Sequence, residues 1–267
     1  MSNAIENEIL PTALEAADRA SRLAKEIRLS GELQVQLKGE LDLVTHADLS
    51  ANEAIIDTIA RKFPDHKFLS EESSNEGSAG LLGPTWIIDP IDGTTNYVHG
   101  HMHVGISVAF IDEGKIHVGV VRAPFMNETY VAVRGQGAHC NGNALRASSC
   151  RDTKKALVAT GFPYTRDSLD TIIERVRKVL MHCRDIRRNG ACSLDLCWVA
   201  SGKLDAYYET VMPWDMAAGS LIAKEAGALV GNLAPQAAGD TIPPELYSRD
   251  LLAAAPGIYQ AMAALLE

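Results

Sequence analysis

The sequence has little positive charge, few aromatic residues and no long apolar run. None of its 267 residues lies in an apolar segment long enough to cross a bilayer, so we expect no membrane association. Lys and Arg number 25 against 34 Asp and Glu, and the net charge of −9 argues against nucleic acid as a direct partner. A phosphate substrate remains compatible with this charge, because acidic sites bind anions through a metal cation.

The sequence also lacks cysteine pairs with metal-ligand spacing, internal repeats and low-complexity linkers. Its five cysteines are odd in number and predict reduced thiols: Cys140, Cys150, Cys183, Cys192 and Cys197. The first ten residues are polar and acidic where a signal peptide would be basic and then apolar, so we expect a cytoplasmic protein. With 46% hydrophobic and 22% charged residues, we predict one domain over 1–267, built of two packed halves, approximately 1–150 and 151–267.

Residues 86–96 combine a short apolar run with two carboxylates that follow it closely. The apolar residues 86–88 predict a buried strand, and Pro90 predicts that the chain leaves the sheet there, presenting Asp89 and Asp92 in a stiff turn. Two carboxylates so close repel each other unless a cation lies between them. Gly93 allows a ligand to approach the backbone closely, and residues 94–95 can begin a short helix whose free N–H groups favour an anion. The pattern indicates a metal-held phosphate, although an ordinary surface turn has the same residue types.

A second strand predicted over residues 67–70 ends on Glu71 and Glu72. A solvated acidic loop is the alternative. If this strand neighbours the one that ends at Asp89, three or four carboxylates meet at one edge of a sheet. Such hard oxygen ligands suit Mg²⁺ or Mn²⁺ and not zinc.

Two further acids lie at predicted helix starts. Asp48 precedes a helix that carries apolar residues at 55, 56 and 59, and Asp215 follows Pro213 in the first turn of a helix over 216–226. Each is explained equally well as a helix cap or as a site residue that the helix aims inward.

The other patterns predict a mixed α/β fold. Helical periodicity covers residues 5–29, 168–182 and 191–200, a hairpin covers 33–45, and strands cover 105–134, 156–160 and 204–208. His99, His101 and His103 alternate, which permits either a transition-metal chelate or a loop that enters a strand; the missing acidic or thiolate partner favours the loop.

The string Asp-Pro-Ile-Asp-Gly-Thr at 89–94 resembles the signature of the inositol monophosphatase family. Three other stretches, 42–48, 70–72 and 213–219, match the family in the same order, and together they span most of the chain. Ser70 stands where the family has glycine, and we expect no loss of the site. The resemblance implies a five-layer α-β-α-β-α sandwich with mixed, largely antiparallel sheets. It also implies a homodimer and a lithium-sensitive hydrolase of phosphate monoesters with two to three Mg²⁺ ions, or Mn²⁺, in each site.

The resemblance also implies residue roles. Glu71, Asp89 and the Ile91 carbonyl would hold the first metal, and Asp89, Asp92 and Asp215 the second. Thr94, paired with Asp48, would orient and deprotonate the attacking water, and Glu71 would join them as a catalytic residue at a third, weaker metal. The implied substrate contacts are Asp92, Gly93, Thr94, Gly190, Ala191, Cys192, Glu209 and Asp215.

The substrate is predicted from a few positions. Thr95, Asn96 and Glu209 match the members that act on myo-inositol monophosphate, and Cys192 replaces a common alanine, which would narrow the polyol pocket. The alternatives are a promiscuous sugar or nucleotide phosphatase, of the fructose-1,6-bisphosphate or adenosine bisphosphate type, and a regulatory partner protein of transcription complexes.

Overall fold

The helices and strands stack in alternating layers. The computed structural model describes residues 4–31, 33–37, 43–73, 83–162, 169–237 and 239–267. Its helices are α1 (Leu10–Ser30), α2 (His46–Ala60), α3 (Thr94–Val98), α4 (Leu169–His182), α5 (Cys192–Ala200), α6 (Pro213–Glu225) and α7 (Tyr259–Leu266). A π-helical turn, Ile5–Ile9, precedes α1, and 3-10 turns lie at Thr153–Lys155 and Pro244–Leu246.

The strands form two large sheets and one hairpin. They are β1 (Val35–Leu37), β2 (Leu43–Thr45), β3 (Lys67–Ser70), β4 (Thr85–Asp92), β5 (Gly105–Asp112), β6 (Lys115–Ala123), β7 (Glu128–Val133), β8 (Ala138–Cys140), β9 (Asn143–Ala144), β10 (Leu157–Thr160), β11 (Asp185–Arg187), β12 (Ala206–Glu209), β13 (Leu229–Asn232) and β14 (Leu251–Ala254). The first large sheet has the order β3-β4-β5-β6-β7-β8-β9 and the second β11-β10-β12-β14-β13. Strand β4 is parallel to β3, and β10 is parallel to β11 and β12; the other pairs are antiparallel.

The layers follow from which helices cover which face. Helices α1 and α2 pack on one face of the first sheet, α5 and α6 lie between the two sheets, and α4 and α7 cover the outer face of the second. This is the predicted five-layer α-β-α-β-α sandwich of mixed, largely antiparallel sheets. One hydrophobic core joins residues 69–138 with residues 159–253 across the middle layer. The single-domain boundary stays a prediction.

The middle layer depends on small residues. Gly119 on β6 lies so close to α6 that a Cβ added there would be 2.7 Å from the backbone oxygen of Ala218. Since both partners are backbone in packed elements, neither has a side chain that can swing away.

We therefore expect Gly119→Ala to lower the free energy of unfolding by about 1–3 kcal/mol, the usual penalty of overpacking. The matched control is Gly83→Ala, where an added Cβ meets nothing within 4 Å. Chemical denaturation measures both variants, and equal midpoints would contradict the close approach.

The sequence prediction that Pro90 takes the chain out of the sheet is wrong. Strand β4 continues through Pro90 to Asp92, and its register against β5 shifts between Asp89 and Asp92. Strand β3 ends at Ser70, opposite Ile88. Beyond that point no strand in the described part of the chain pairs with this edge, and the irregular register accommodates a residue without an N–H. Asp89 and Asp92 thus project from a bulge and not from a turn.

Several short elements were not predicted. Strands β8, β9, β11, β13 and β14 have two to four residues, too few for a periodic pattern to emerge. The predicted hairpin is confirmed in its strands, since β1 and β2 pair antiparallel, while residues 38–42 lie outside the described residues. In the ranges that the structure covers, no helix is long and apolar enough to cross a membrane, and all five cysteines are free.

Candidate active site

The predicted functional residues surround one cavity of about 460 Å³. It lies where β3 and β4 end, where α3 and α6 begin, and beside the end of β12. The predicted residues that line it are Glu71, Asp89, Ile91, Asp92, Gly93, Thr94, Gly190, Ala191, Cys192, Glu209 and Asp215. Asp48 does not line the cavity and instead contacts Thr94.

Parallel pairing of β3 with β4 brings the first two acids together. The Glu71 N–H donates to the Ile88 carbonyl at 3.2 Å, so the chain leaves β3 beside the last regular residues of β4. Asp89 is 1% exposed, and its Oδ1 accepts a hydrogen bond from the Ile91 N–H at 3.1 Å. The sequence prediction of neighbouring strands that end on carboxylates is confirmed.

Asp92 connects the first sheet to the middle helix layer. Its Oδ2 accepts hydrogen bonds from the Ser193 N–H (2.7 Å) and from the Ser193 hydroxyl (2.5 Å). Ser193 belongs to α5 and was missed by the sequence analysis, since a serine inside an apolar helix carries no pattern of its own. These hydrogen bonds hold the Asp92 carboxylate against α5.

The acids of this cavity share an unfavourable electrostatic environment. Burial raises the pKa of Asp89 well above its usual range, and the charges of Glu71, Asp92 and Asp215 raise it further. Burial also raises the pKa of Asp92 to about 6, against the opposing effect of the Ser193 hydrogen bonds. The pKa of Asp215 is well above its usual range, first through burial and then through Asp92. A hard cation would relieve this repulsion.

The donor set fits such a cation in its chemistry, since it consists of carboxylate and carbonyl oxygens. Across the described ranges, however, no three His, Cys, Asp or Glu side chains are gathered closely enough to hold a metal ion as they stand. Asp89, Asp92 and Asp215 each direct one oxygen to a backbone N–H.

Asp48 acts both as a helix cap and as a partner of Thr94. Its Oδ2 accepts from the Thr45 N–H (2.8 Å) and hydroxyl (2.5 Å), which closes a capping box at the start of α2. Its Oδ1 accepts from the Thr94 hydroxyl at 3.1 Å. Burial raises the pKa of Asp48 despite these hydrogen bonds. The two interpretations of this residue are thus compatible.

Asp215 likewise acts as a helix cap and lines the cavity. Its Oδ2 accepts from the Met212 N–H at 2.7 Å at the start of α6, which makes it a cap, while the residue also lines the cavity.

The start of α3 is held against the loop before α5. Gly93 has φ 90°, and an added Cβ would lie 2.9 Å from the Gly190 carbonyl oxygen. The Asn96 side-chain amide donates to the carbonyls of Asn189 (2.7 Å) and His103 (2.8 Å). The structural role of Asn96 was missed, because its partners are distant in sequence.

The three alternating histidines do not share a face. His99 and His101 are exposed, whereas His103 turns inward, with its Nε2 3.2 Å from Asp195 Oδ1. The loop interpretation is therefore correct. Arg188 and Phe162 also line the cavity, and no charge or hydropathy pattern in the sequence marks them.

Residues 6–267 match the inositol monophosphatase family. The chain is 42% identical over 228 residues to "Nus factor SuhB" of Pasteurella multocida, covering 84% of this chain and 85% of that relative. It is 40% identical over 230 residues to "Inositol monophosphatase 2" of Solanum lycopersicum, covering 84% and 86%.

Two solved structures have the same fold over nearly the whole chain. The extragenic suppressor protein suhB of Bartonella henselae has a TM-score of 0.86 at 32% identity and covers 97% of this chain and 98% of its own. The IMPase of Thermotoga maritima has a TM-score of 0.83 at 30% identity, with 97% and 96% covered. Sequence, fold and the matched length agree, and this chain is therefore a member of the inositol monophosphatase family of phosphatases.

Proposed function

We propose that this protein hydrolyses a phosphate monoester with the help of Mg²⁺, and that its preferred substrate is myo-inositol monophosphate. The observation that carries the proposal is the cavity itself. It combines mutually repelling carboxylates, among them the buried Asp89 and Asp92, with a Thr94–Asp48 pair and with a further, half-buried acid, Glu209, at the end of β12.

The metal-holding residues follow from the donor chemistry. Glu71, Asp89 and the Ile91 carbonyl would hold one Mg²⁺, and Asp89, Asp92 and Asp215 another, with Mn²⁺ as a substitute and a weaker third ion at Glu71. When bound, Mg²⁺ would neutralise negative charge on the attacking water oxygen and on the leaving ester oxygen. Lithium is expected to inhibit at the position of Asp89, Asp92 and Asp215.

The chain's own groups would handle the water and its proton. The Thr94 hydroxyl lies 3.1 Å from both Asp48 Oδ1 and the Ile91 carbonyl oxygen, and when it donates to Asp48 it presents a lone pair that can accept a hydrogen bond from water. Thr94 would take a proton from the water as it gives its own to Asp48, whose pKa is raised by burial, which makes it a stronger base. The N–H groups of Gly93 and Thr94 would hold the phosphate.

The polyol would occupy the rest of the cavity. Its hydroxyls would bind Glu209, and the backbone of residues 190–192 would line the other side, near Asp92 and Asp215. That the Cys192 thiol narrows this pocket remains a prediction; the residue is 7% exposed and lines the cavity.

The test is a phosphate-release panel with Mg²⁺. Inositol monophosphate, fructose-1,6-bisphosphate, adenosine bisphosphate and simple sugar and nucleotide monophosphates are compared by kcat/KM. We expect inositol monophosphate to have the highest value; a higher value for a bisphosphate would select the promiscuous sugar or nucleotide phosphatase instead.

We expect excess chelator to abolish turnover. Every proposed metal ligand is an oxygen donor, and the proposed reaction has no other group that replaces the charge of the cation. Added Mg²⁺ should restore the rate. Full turnover in chelator would contradict the metal assignment, and addition of a monovalent salt at equal ionic strength is the control.

A second candidate function rests on the relatives that are named Nus factors. A role as a regulatory partner of transcription complexes would coexist with catalysis. Pull-down of the tagged protein from its native cytoplasm, followed by detection of RNA polymerase, tests it. Light scattering of the purified protein tests the homodimer that the family resemblance implies.

A further inference from the structure

The carboxyl group of Glu209 is held from two sides. Along β12 the side chains alternate, so that Tyr207 joins the core between the sheets while Tyr208 joins the outer core. The Tyr207 hydroxyl donates a hydrogen bond to Glu209 Oε2, and Tyr207 itself is fully buried. Glu209, at the end of β12, is thus held by Tyr207, which lies two residues earlier on the same face of the strand.

The hydrogen bond between Tyr207 and Glu209 has a defined direction, because the ionised carboxylate can only accept. Burial raises the pKa of Tyr207 well above its usual range, so the phenol keeps the proton that it donates. Glu209 is therefore the acceptor.

Gly161 provides the space on the other side. A Cβ added at this position, after the end of β10, would collide with both carboxyl oxygens of Glu209. The three atoms nearest to that Cβ all belong to the Glu209 carboxyl group, and Gly161 does not have a positive φ. An alanine there would displace the flexible end of Glu209 and leave the backbone of β10 in place.

We propose that Tyr207 is the positioning residue that fixes Glu209 as an acceptor for a substrate hydroxyl, with Gly161 leaving the required space. The inference rests on the proposed function and deepens it, because it names the group that holds the hydroxyl-binding carboxylate in place.

Other charges also act on Glu209. Burial raises its pKa to about 7, while Tyr207 and Arg188 oppose that shift and Asp195 and Asp92 add to it. The ionisable groups that interact with it are Asp92, Arg188, Cys192, Asp195, Tyr207, Tyr208 and Asp215. Loss of the Tyr207 hydrogen bond should raise the Glu209 pKa further, because that bond favours the charged carboxylate.

The decisive variant is Tyr207→Phe, with Tyr208→Phe as the matched control on the same strand. We expect Tyr207→Phe to raise KM for inositol monophosphate about tenfold, the usual effect of losing a hydrogen bond to a charged group, with kcat little changed. KM for p-nitrophenyl phosphate and inhibition by inorganic phosphate should not change, since neither ligand presents a hydroxyl to Glu209. The same KM for inositol monophosphate in both variants would overturn the proposal.

A second measurement does not depend on turnover. In protein labelled with ¹³C-glutamate, the carboxyl signal missing from Glu209→Gln identifies Glu209, and its pH titration gives the pKa. We expect an upward shift in Tyr207→Phe, a shift of either sign in Gly161→Ala because the displaced carboxyl changes both its burial and its hydrogen bond, and none in Tyr208→Phe or Gly83→Ala. Gly161→Ala carries the test if Tyr207→Phe does not fold.

The two measurements separate the two proposals. An upward shift without any hydrolysis of polyol phosphates by the wild type would support the positioning of Glu209 and overturn the proposed function. An unshifted pKa in both Tyr207→Phe and Gly161→Ala would overturn the positioning, whatever the substrate.

Discussion

Asp215→Asn is expected to lower kcat on the order of a thousandfold, which corresponds to about 4 kcal/mol of lost transition-state stabilisation. The substitution removes one negative charge from the proposed second metal position and leaves the shape of the side chain nearly intact. Asparagine caps helices as well as aspartate does, so the start of α6 should survive. Phosphate release measures the rate, and calorimetric titration with Mg²⁺ measures the accompanying loss of affinity.

The stability of the same variant separates a metal ligand from a cap. Asp215 binds its proton more tightly in the folded chain than in the unfolded chain, because its pKa is raised by burial and by Asp92. The free energy of unfolding therefore falls as the pH rises above the unfolded value of 3.8. At neutral pH in chelator, Asp215→Asn removes that penalty and should leave the Tm equal or higher.

The matched control for this prediction is Asp152→Asn. Asp152 is exposed, caps the 3-10 turn Thr153–Lys155 through the Lys154 N–H and does not line the cavity. The Asp152→Asn substitution should leave both the rate and the affinity for Mg²⁺ unchanged. Near-normal turnover of Asp215→Asn would refute the metal role and leave the capping role alone.

Thr94→Ala is expected to lower kcat by about 10² to 10⁴, the range of general acid–base contributions, with a small change in KM. The variant removes the hydroxyl that joins the attacking water to Asp48, while Asp48 retains its hydrogen bonds to Thr45. Helix α2 should therefore start as before, and the Tm should fall by no more than the loss of the hydroxyl's buried contacts with Asp48 and the Ile91 carbonyl explains. Steady-state and single-turnover phosphate release measure the effect.

Two further variants show whether the hydroxyl itself is responsible. Thr94→Ser retains an Oγ and should keep most of the rate. Thr95→Ala removes the neighbouring hydroxyl, which does not line the cavity, and should be close to wild type. A Thr94→Ala rate within a few-fold of Thr95→Ala would contradict the proposed path of the proton.

The sequence predicted that acids meet at one edge of the first sheet, but it did not predict the path of the backbone between them. Glu71 and Asp92 were placed together because apolar runs that end on acids deliver them to a sheet edge. Pro90 was misinterpreted, since the rule against proline in a strand assumes a strand that is paired on both sides. At residue 90 the neighbouring strand β3 has already ended, and the ladder to β5 is irregular.

For Asp48 and Asp215 the sequence left two interpretations open, and the structure shows why. Each carboxylate has two oxygens: one caps the helix start, and the group as a whole faces Thr94 or the cavity. A local pattern contains the cap, because the cap is made with residues three positions away. It does not contain a contact across 46 residues, as between Thr94 and Asp48.

The sequence alone thus determined the fold class, the family and the acids that carry the proposed chemistry, because all of these depend on periodicity and on short strings of residues. Only the tertiary structure decided which groups hold those acids. Ser193 on Asp92, Asn96 between two loops, and Tyr207 and Gly161 around Glu209 are ordinary residues in sequence. Most of these contacts join separate layers or neighbouring strands, and the Tyr207–Glu209 hydrogen bond forms only because both side chains lie on the same buried face of β12. Periodicity and short strings of residues do not contain such contacts.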